Sequence, residues 1–313
     1  MLSLFHTRTL YLTADHPVTL LIDATPHILD PGRRATLRAT AAGLTVELAT
    51  PTVPTHFVAR AVTLPPETFT LSVPDKLTRT YTGALVVDAR AHTLQPVVTM
   101  ETELAVASIV AAEAPPNAPI EALKAQAVAS RSFLLAHASA HTGVDACDTT
   151  HCQYLRSPPP PSSAATLATR ATRNLVLTWR PTPDAPLAIV AAMFSRSCGG
   201  RTSVPPPSPD RTRYPFYPVA CAFCLRHPER WTRPSAPALT STEQQRLAFN
   251  RTHGWDAMPS TTYTASANGL EGRGTGHGVG LCQLGASDLA ARGATFRAIL
   301  GHYFQNTQTT LLP

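Results

Sequence analysis

The sequence is short of charge, of lysine and of long apolar runs. Charged residues fill 15% of its 313 positions, well below the roughly 25% of ordinary soluble proteins. Lys76 and Lys124 are its only lysines. The other basic residues are scattered arginines, no run being denser than Arg226 to Arg233, so the net charge of +6 forms no basic stripe. Nucleic-acid binding, which needs such a stripe or an aromatic-interleaved basic patch, is not expected; mild attraction to an anionic polymer is compatible with the charge. No stretch approaches the ~18 to 20 apolar residues of a membrane span, and Met1 to Ala14 lacks the basic and long apolar segments of an export signal. Six cysteines in a chain of this length are too few for a disulfide scaffold.

What is present points to a folded, loop-rich protein. A hydrophobic fraction of 43% over 33.4 kDa supports a sizeable core in one large domain or two modest ones. Thirty prolines, about twice the usual share, stiffen the loops. From Tyr11 to about Val98, short alternating runs such as Val18-Leu20-Ile22, Leu44-Val46-Leu48 and Phe69-Leu71-Val73 predict antiparallel, half-solvated strands. At Glu103 the period changes to a small-residue helix that Pro115 and Pro116 stop, leaving Glu113 on its last turn. A second helix, with Pro119 and Glu121 at its start, is predicted to run to about His141 and to carry Lys124, Val128, Arg131 and Leu135 on one face. Two proline-rich surface loops follow, 157–162 and 204–209, with buried strands expected at Asn174 to Trp179 and Ala188 to Phe194. Helices are expected from Gln283 to about Arg292, stopped by Gly293, and from Thr295 to Tyr303. The expected class is α+β, with a β-rich region over 1–98 and a helix-containing catalytic domain over 99–313.

Four constellations could carry chemistry. His141, Cys147, His151 and Cys152 offer two thiolates and two imidazoles at a spacing that suits a closed, structural, tetrahedral Zn²⁺; a Cys147 to Cys152 disulfide with bystander histidines is the alternative. Cys198, Cys221, Cys224 and Cys282 fit a metal site or two disulfides equally well, and a nucleophilic cysteine with His277 as base would need an adjacency that spacing does not give. The run from Gly269 to Gly280 is no phosphate loop, since no Gly-Lys-Ser/Thr follows. Its alternating glycines let backbone approach something closely, a ligand at His277 or simply another chain segment. Glu113, at the negative pole of an apolar helix, is placed to have a raised pKa suited to a general acid, unless it is an ordinary solvated helix-end glutamate.

Three motifs in order, IVAAEAPPNAPIEALKAQAVASRSFLLAHA, CDTTHCQ and GRGTGHGVGLCQLGASDLAARGATFRAIL with HYF, resemble the SpoIID (stage II sporulation protein D) family of peptidoglycan-active proteins over about Thr82 to Thr307. The resemblance implies a lytic transglycosylase that cleaves glycan strands stripped of stem peptides around a glycan-binding groove, or else an enhancer of cell-wall amidases. It implies Glu113 as the catalytic acid/base; Lys124, Gln126, Arg131, Gly276, His277 and Gly278 in the groove; and Zn²⁺ held by His141, Cys147, His151 and Cys152. It also implies an extracytoplasmic location, in the periplasm or cell wall. A zinc or cysteine hydrolase acting on peptide stems is a further alternative. The chain departs from the family's pattern at Ala114, where methionine is usual, and at Cys198, where serine is usual.

Overall fold

The computed structural model describes residues 7–41, 43–50, 53–90, 92–136, 143–205, 213–234, 242–267 and 269–313. The chain forms two compact units that share it discontinuously: Met1–Ala112 with Ala138–Pro160, and Glu113–His137 with Pro161–Pro313.

In the first unit the alternating runs become an antiparallel sheet, nine-stranded among the described residues. Its strands are β1 (Thr9–Thr13), β2 (Val18–Ile22), β3 (Thr25–Leu29), β4 (Ala35–Thr40), β5 (Gly43–Leu48), β6 (Thr55–Ala59), β7 (Ala61–Val73), β8 (Leu77–Arg90) and β9 (Thr93–Thr99). The spatial order is β3-β2-β7-β1-β4-β5-β6, with β8 on β7 and β9 on β8. The period of two sets which face is buried: Leu44, Val46 and Leu48 of β5 point inward, as do Phe69, Leu71 and Val73 of β7. Pro65 and Pro66 lie inside β7 without breaking it. They sit where its register with β8 shifts, between Leu64 and Glu67, so the ladder bonds they cannot donate fall at the irregularity. Helix α1 (Thr102–Glu113) follows, with Ala105 to Val110 all buried.

The second unit is built on helix α2 (Ile120–Ala136), which is buried almost continuously from Ala122 to Phe133. Alanine and serine at six of those positions, Ala122, Ala125, Ala127, Ala129, Ser130 and Ser132, let neighbours approach from several sides. Against α2 pack α3 (Ala164–Ala171), β10 (Leu175–Trp179) and, from later in the chain, α6 (Gln283–Ala291) and α7 (Phe296–Tyr303). Between them lie β11 (Ala188–Ile189), β12 (Phe194–Ser195), α4 (Ala222–Arg226), β13 (Arg230–Arg233), α5 (Glu243–His253), β14 (Tyr263–Ser266), β15 (Gly269–Arg273) and β16 (Leu281–Cys282). Strand β17 (Gln308–Leu311) returns to pair with β10. Ser163, Thr242 and Thr295 cap α3, α5 and α7 through their hydroxyls, as side-chain acceptors at helix starts should.

The α+β expectation holds. Two local expectations need correction. The strand expected from Ala188 to Phe194 is two dipeptide strands, because Phe194–Ser195 leaves β10 and β11 to pair in parallel with β16. The far end expected for α2, to about His141, lies outside the described residues, as do most of the second proline-rich loop and His141 itself. Among the described residues no helix is long and apolar enough to cross a membrane.

Candidate functional site

Glu113 ends α1, half-buried, where Pro115 stops the helix. Its carbonyl accepts a hydrogen bond from Nε2 of Gln283 at 2.9 Å. Gln283 is the first residue of α6 and follows the glycine run through Leu281 and Cys282. The bond therefore fixes the Glu113 helix end within the second unit, beside the segment that leaves the glycine loop.

The loop is held as tightly at its other end. Glu229 accepts from the Gly274 amide at 2.7 Å through its carbonyl, and from the Thr275 hydroxyl at 2.8 Å through its carboxylate. The same carboxylate binds Arg196 at 3.1 Å. Two positions show why glycine recurs. Gly274 (φ +79) would place a Cβ 2.5 Å from the Ser197 carbonyl oxygen, and Gly280 (φ +74) would place one 2.1 Å from the Met193 carbonyl oxygen. Left-handed backbone and close approach coincide there, and only glycine tolerates both.

His277 sits between Gly276 and Gly278, half-buried. Its Nδ1 accepts the Val279 amide at 3.0 Å. Burial pushes the imidazole below its usual range, and the nearby Arg246 acts in the same direction; Glu243 and the Phe194 carbonyl pull the other way. Glu243 and Arg246 are paired with each other on α5 by two contacts of 2.7 Å. His277 is thus a neutral, oriented ring whose Nδ1 is already occupied by its own loop.

The α2 residues take different roles. Lys124 is partly exposed and binds Glu121 at 2.6 Å, while the other oxygen of Glu121 accepts the Phe296 amide at the start of α7. Lys124 holds the Glu121 carboxylate below its ordinary range. Gln126 is buried, its Nε2 without a hydrogen-bond partner among the described residues. Arg131 is 1% exposed and donates to main-chain carbonyls, to Leu175 at 2.9 Å and to Thr169 at 3.5 Å. That guanidinium joins α2 to β10 and to the end of α3.

The two cysteine groups lie in different units. In the first, Cys147 Sγ, His151 Nδ1 and Cys152 Sγ lie within 4.8 Å of one another. His151 Nδ1 is 3.7 Å from each sulfur. Contact with Cys152 pulls the Cys147 thiol down to about 4, and the same contact raises Cys152. The loop is anchored by Asp148, which is buried and accepts from Arg79 and, at 2.9 Å, from Tyr81, both on β8. In the second unit, Cys198, Cys221, Cys224 and Cys282 are all buried and unbridged, with all four sulfurs within 4.8 Å of one another. A buried cluster of four cysteines can bind a metal ion.

Sequence reasoning passed over Gln283, Glu229, Asp148 with Arg79, and the Glu243–Arg246 pair. Gln283 and Asp148 stand inside the quoted motifs, but nothing in their spacing shows what they bond.

A search of curated proteins found no match. Residues 90–179 match the family model SpoIID, stage II sporulation protein. That segment contains the Glu113 helix end, α2 and the Cys147 to Cys152 loop, and over it the chain is similar to the SpoIID family.

Proposed function

We propose that this protein is a peptidoglycan lytic transglycosylase, acting outside the cytoplasm on glycan strands stripped of their stem peptides. The SpoIID match over residues 90–179 supports a cell-wall role. The observation that carries the finer reading is the bond from Gln283 to the main-chain carbonyl of Glu113, which fixes the residue bearing the carboxylate of the V-x-x-E-x-P turn beside the exit of the glycine loop. The groove lies between that turn and Gly276, His277 and Gly278.

One carboxylate suffices if the substrate supplies its own nucleophile. Ordinary glycosidases need two, an acid and a base or nucleophile. Here Glu113, protonated, gives its proton to the glycosidic oxygen as the bond from C1 of MurNAc breaks, and the oxygen leaves as the 4-hydroxyl of GlcNAc. The resulting carboxylate takes the proton of the MurNAc C6 hydroxyl as O6 bonds to C1. The product is a 1,6-anhydro ring, no water is consumed, and Glu113 regains its proton. His277, neutral and fixed by Val279, shapes the groove wall. By the family resemblance Lys124 and Gln126 contribute to the groove, with Arg131 bonding the helix that carries them to β10.

The Cys147, His151 and Cys152 donors suit a structural Zn²⁺. Their 3.7 Å sulfur to nitrogen separations are close to the ~3.5 Å edge of a tetrahedron with Zn–S near 2.3 Å and Zn–N near 2.0 Å. With His141 as fourth ligand the ion would clamp the loop that Asp148 anchors, and it would take no part in the chemistry.

The test is mass spectrometry of denuded glycan strands incubated with wild type and with Glu113→Gln. Glutamine keeps the main-chain carbonyl that Gln283 binds but cannot donate and recover the proton. Wild type should yield fragments ending in 1,6-anhydro-muramic acid, and the variant should be slower by at least about 100-fold. Full cleavage by the variant overturns the role of Glu113. Intact strands with both proteins, which nevertheless co-sediment with the glycan, replace the reading with that of a glycan-binding amidase enhancer.

A further inference from the structure

Cys198, Cys221, Cys224 and Cys282 come from three separate stretches of the second unit and meet inside it. None is more than 2% exposed. Cys221 and Cys224 flank the first turn of α4, where Cys221 is the N-cap residue but makes no side-chain capping bond. Cys282 is likewise an N-cap without a capping bond, at the start of α6. Cys198 follows β12, whose parallel pairing with β16 sets Ser195 opposite Cys282.

The distances separate the possibilities. The Cys224 and Cys282 sulfurs are 3.5 Å apart, far beyond the ~2.05 Å of a disulfide and close to the ~3.8 Å edge of a tetrahedron of thiolates about an ion at ~2.3 Å. All four sulfurs lie within 4.8 Å of one another, as the corners of one such tetrahedron must.

The surroundings are shaped for sulfur. A Cβ on Gly285 of α6 would lie 2.5 Å from the Cys221 sulfur and 2.2 Å from the Tyr303 hydroxyl, so a side chain at that position would displace the cluster. Cys198 leads into Gly199 (φ +70) and Gly200 (φ +122), which turn the chain sharply away from it. Hydroxyls of Ser197, 3.5 Å from the Cys224 sulfur, and of Tyr303, 3.8 Å from the Cys221 sulfur, are the donors that a negatively charged metal–thiolate centre needs.

We infer that Cys198, Cys221, Cys224 and Cys282 bind one Zn²⁺ in a closed structural site that clamps the base of the glycine loop. Four thiolates fill the tetrahedron and leave no position for water or substrate. The clamp acts on both ends of the loop: Cys282 lies two residues beyond Gly280, and Ser197, next to Cys198, exchanges main-chain bonds with Thr275 at 2.9 and 3.2 Å. This site shares no residue with the Cys147 loop and assumes nothing about the glycan.

The test is metal analysis and zinc-edge X-ray absorption on the full chain purified without added metal. The expected shell is four sulfurs per zinc at about 2.3 Å if this site alone is loaded, or an average of three when the Cys147 loop also holds zinc. Two or fewer sulfurs per zinc overturns the inference. So does iron in place of zinc, or a metal-free protein whose intact mass shows two disulfides or four alkylatable thiols. The variant Cys147→Ser/Cys152→Ser should keep one zinc with an all-sulfur shell, and a folded variant without metal overturns the inference. Should that variant not fold, the sulfur count of the wild-type protein decides by itself.

Discussion

Cys147, His151 and Cys152 fall within six consecutive positions, and their group runs from buried to exposed. Cys198, Cys221, Cys224 and Cys282 span 85 positions, and all are buried. Both sets bring their donors within the same 4.8 Å. The first does so by local turn geometry, so its spacing alone advertises it. The second is assembled by tertiary structure, by a parallel dipeptide pairing and two helix starts, and no spacing rule announces it. In the first unit a buried ion pair anchors the loop, whereas in the second the cluster itself is the anchor.

That contrast can be broken by substitution. Cys282→Ser should have the largest effect, destabilising the second unit by more than about 5 kcal/mol, a fraction of the 10–16 kcal/mol that structural zinc gives to isolated finger peptides. Cys152→Ser, at a partly exposed position, should cost clearly less. Thermal unfolding of both variants, followed with zinc release, checks the order; equal losses would erase the distinction between a buried clamp and a surface one.

Arg79→Met comes next. It leaves Asp148, 3% exposed at its side chain, with Tyr81 as its remaining side-chain partner among the described residues, and loss of one member of a buried ion pair costs about 3–5 kcal/mol. Urea denaturation should show this loss while the zinc of the four-cysteine site is retained. Burial dominates at Asp148, whose carboxyl is raised above its ordinary range despite Arg79, so the pair secures geometry more than net stability.

The smallest effect is a pH dependence. His277 is depressed below its usual value near 6.5. The unfolded chain therefore takes up its proton before the native state does, and acid favours unfolding. Stability carried by the neutral ring is present above about pH 7 and is lost as the pH falls through the unfolded value. The difference in stability between wild type and His277→Gln should shrink as the pH falls from about 7.5 to about 5.5. A constant difference would mean that the ring is not held neutral by its surroundings.

Much of the fold was legible because its cause is local. Alternation at Leu44, Val46 and Leu48 fixes an inward face whatever the neighbours, and Gly293 (φ +89) follows the end of α6 as a helix-stopping glycine should. The glycine loop was legible as a place of close approach, but what it approaches, the carbonyls of Ser197 and Met193, was not. Arg131 marks another limit. Its helical spacing from Lys124 suggests a shared cationic face, yet it lies buried against the carbonyls of Leu175 and Thr169, because β10 and α3 cover that part of α2. Ala188 to Phe194 misleads for a related reason: an apolar run says that a segment is buried, not which sheet it joins.

The pairing of Arg79 with Asp148 also sets an order of events during synthesis. The two residues are 69 positions apart, so at the usual ~5–20 residues per second the arginine emerges roughly 3–14 s before its carboxylate. For that interval the β7–β8 hairpin can form its ladder but cannot bury its guanidinium with its native counter-ion. A chain cut after α1 would never leave that interval. In biogenesis the Arg79–Asp148 pair therefore closes only after the cysteine loop has cleared the ribosome.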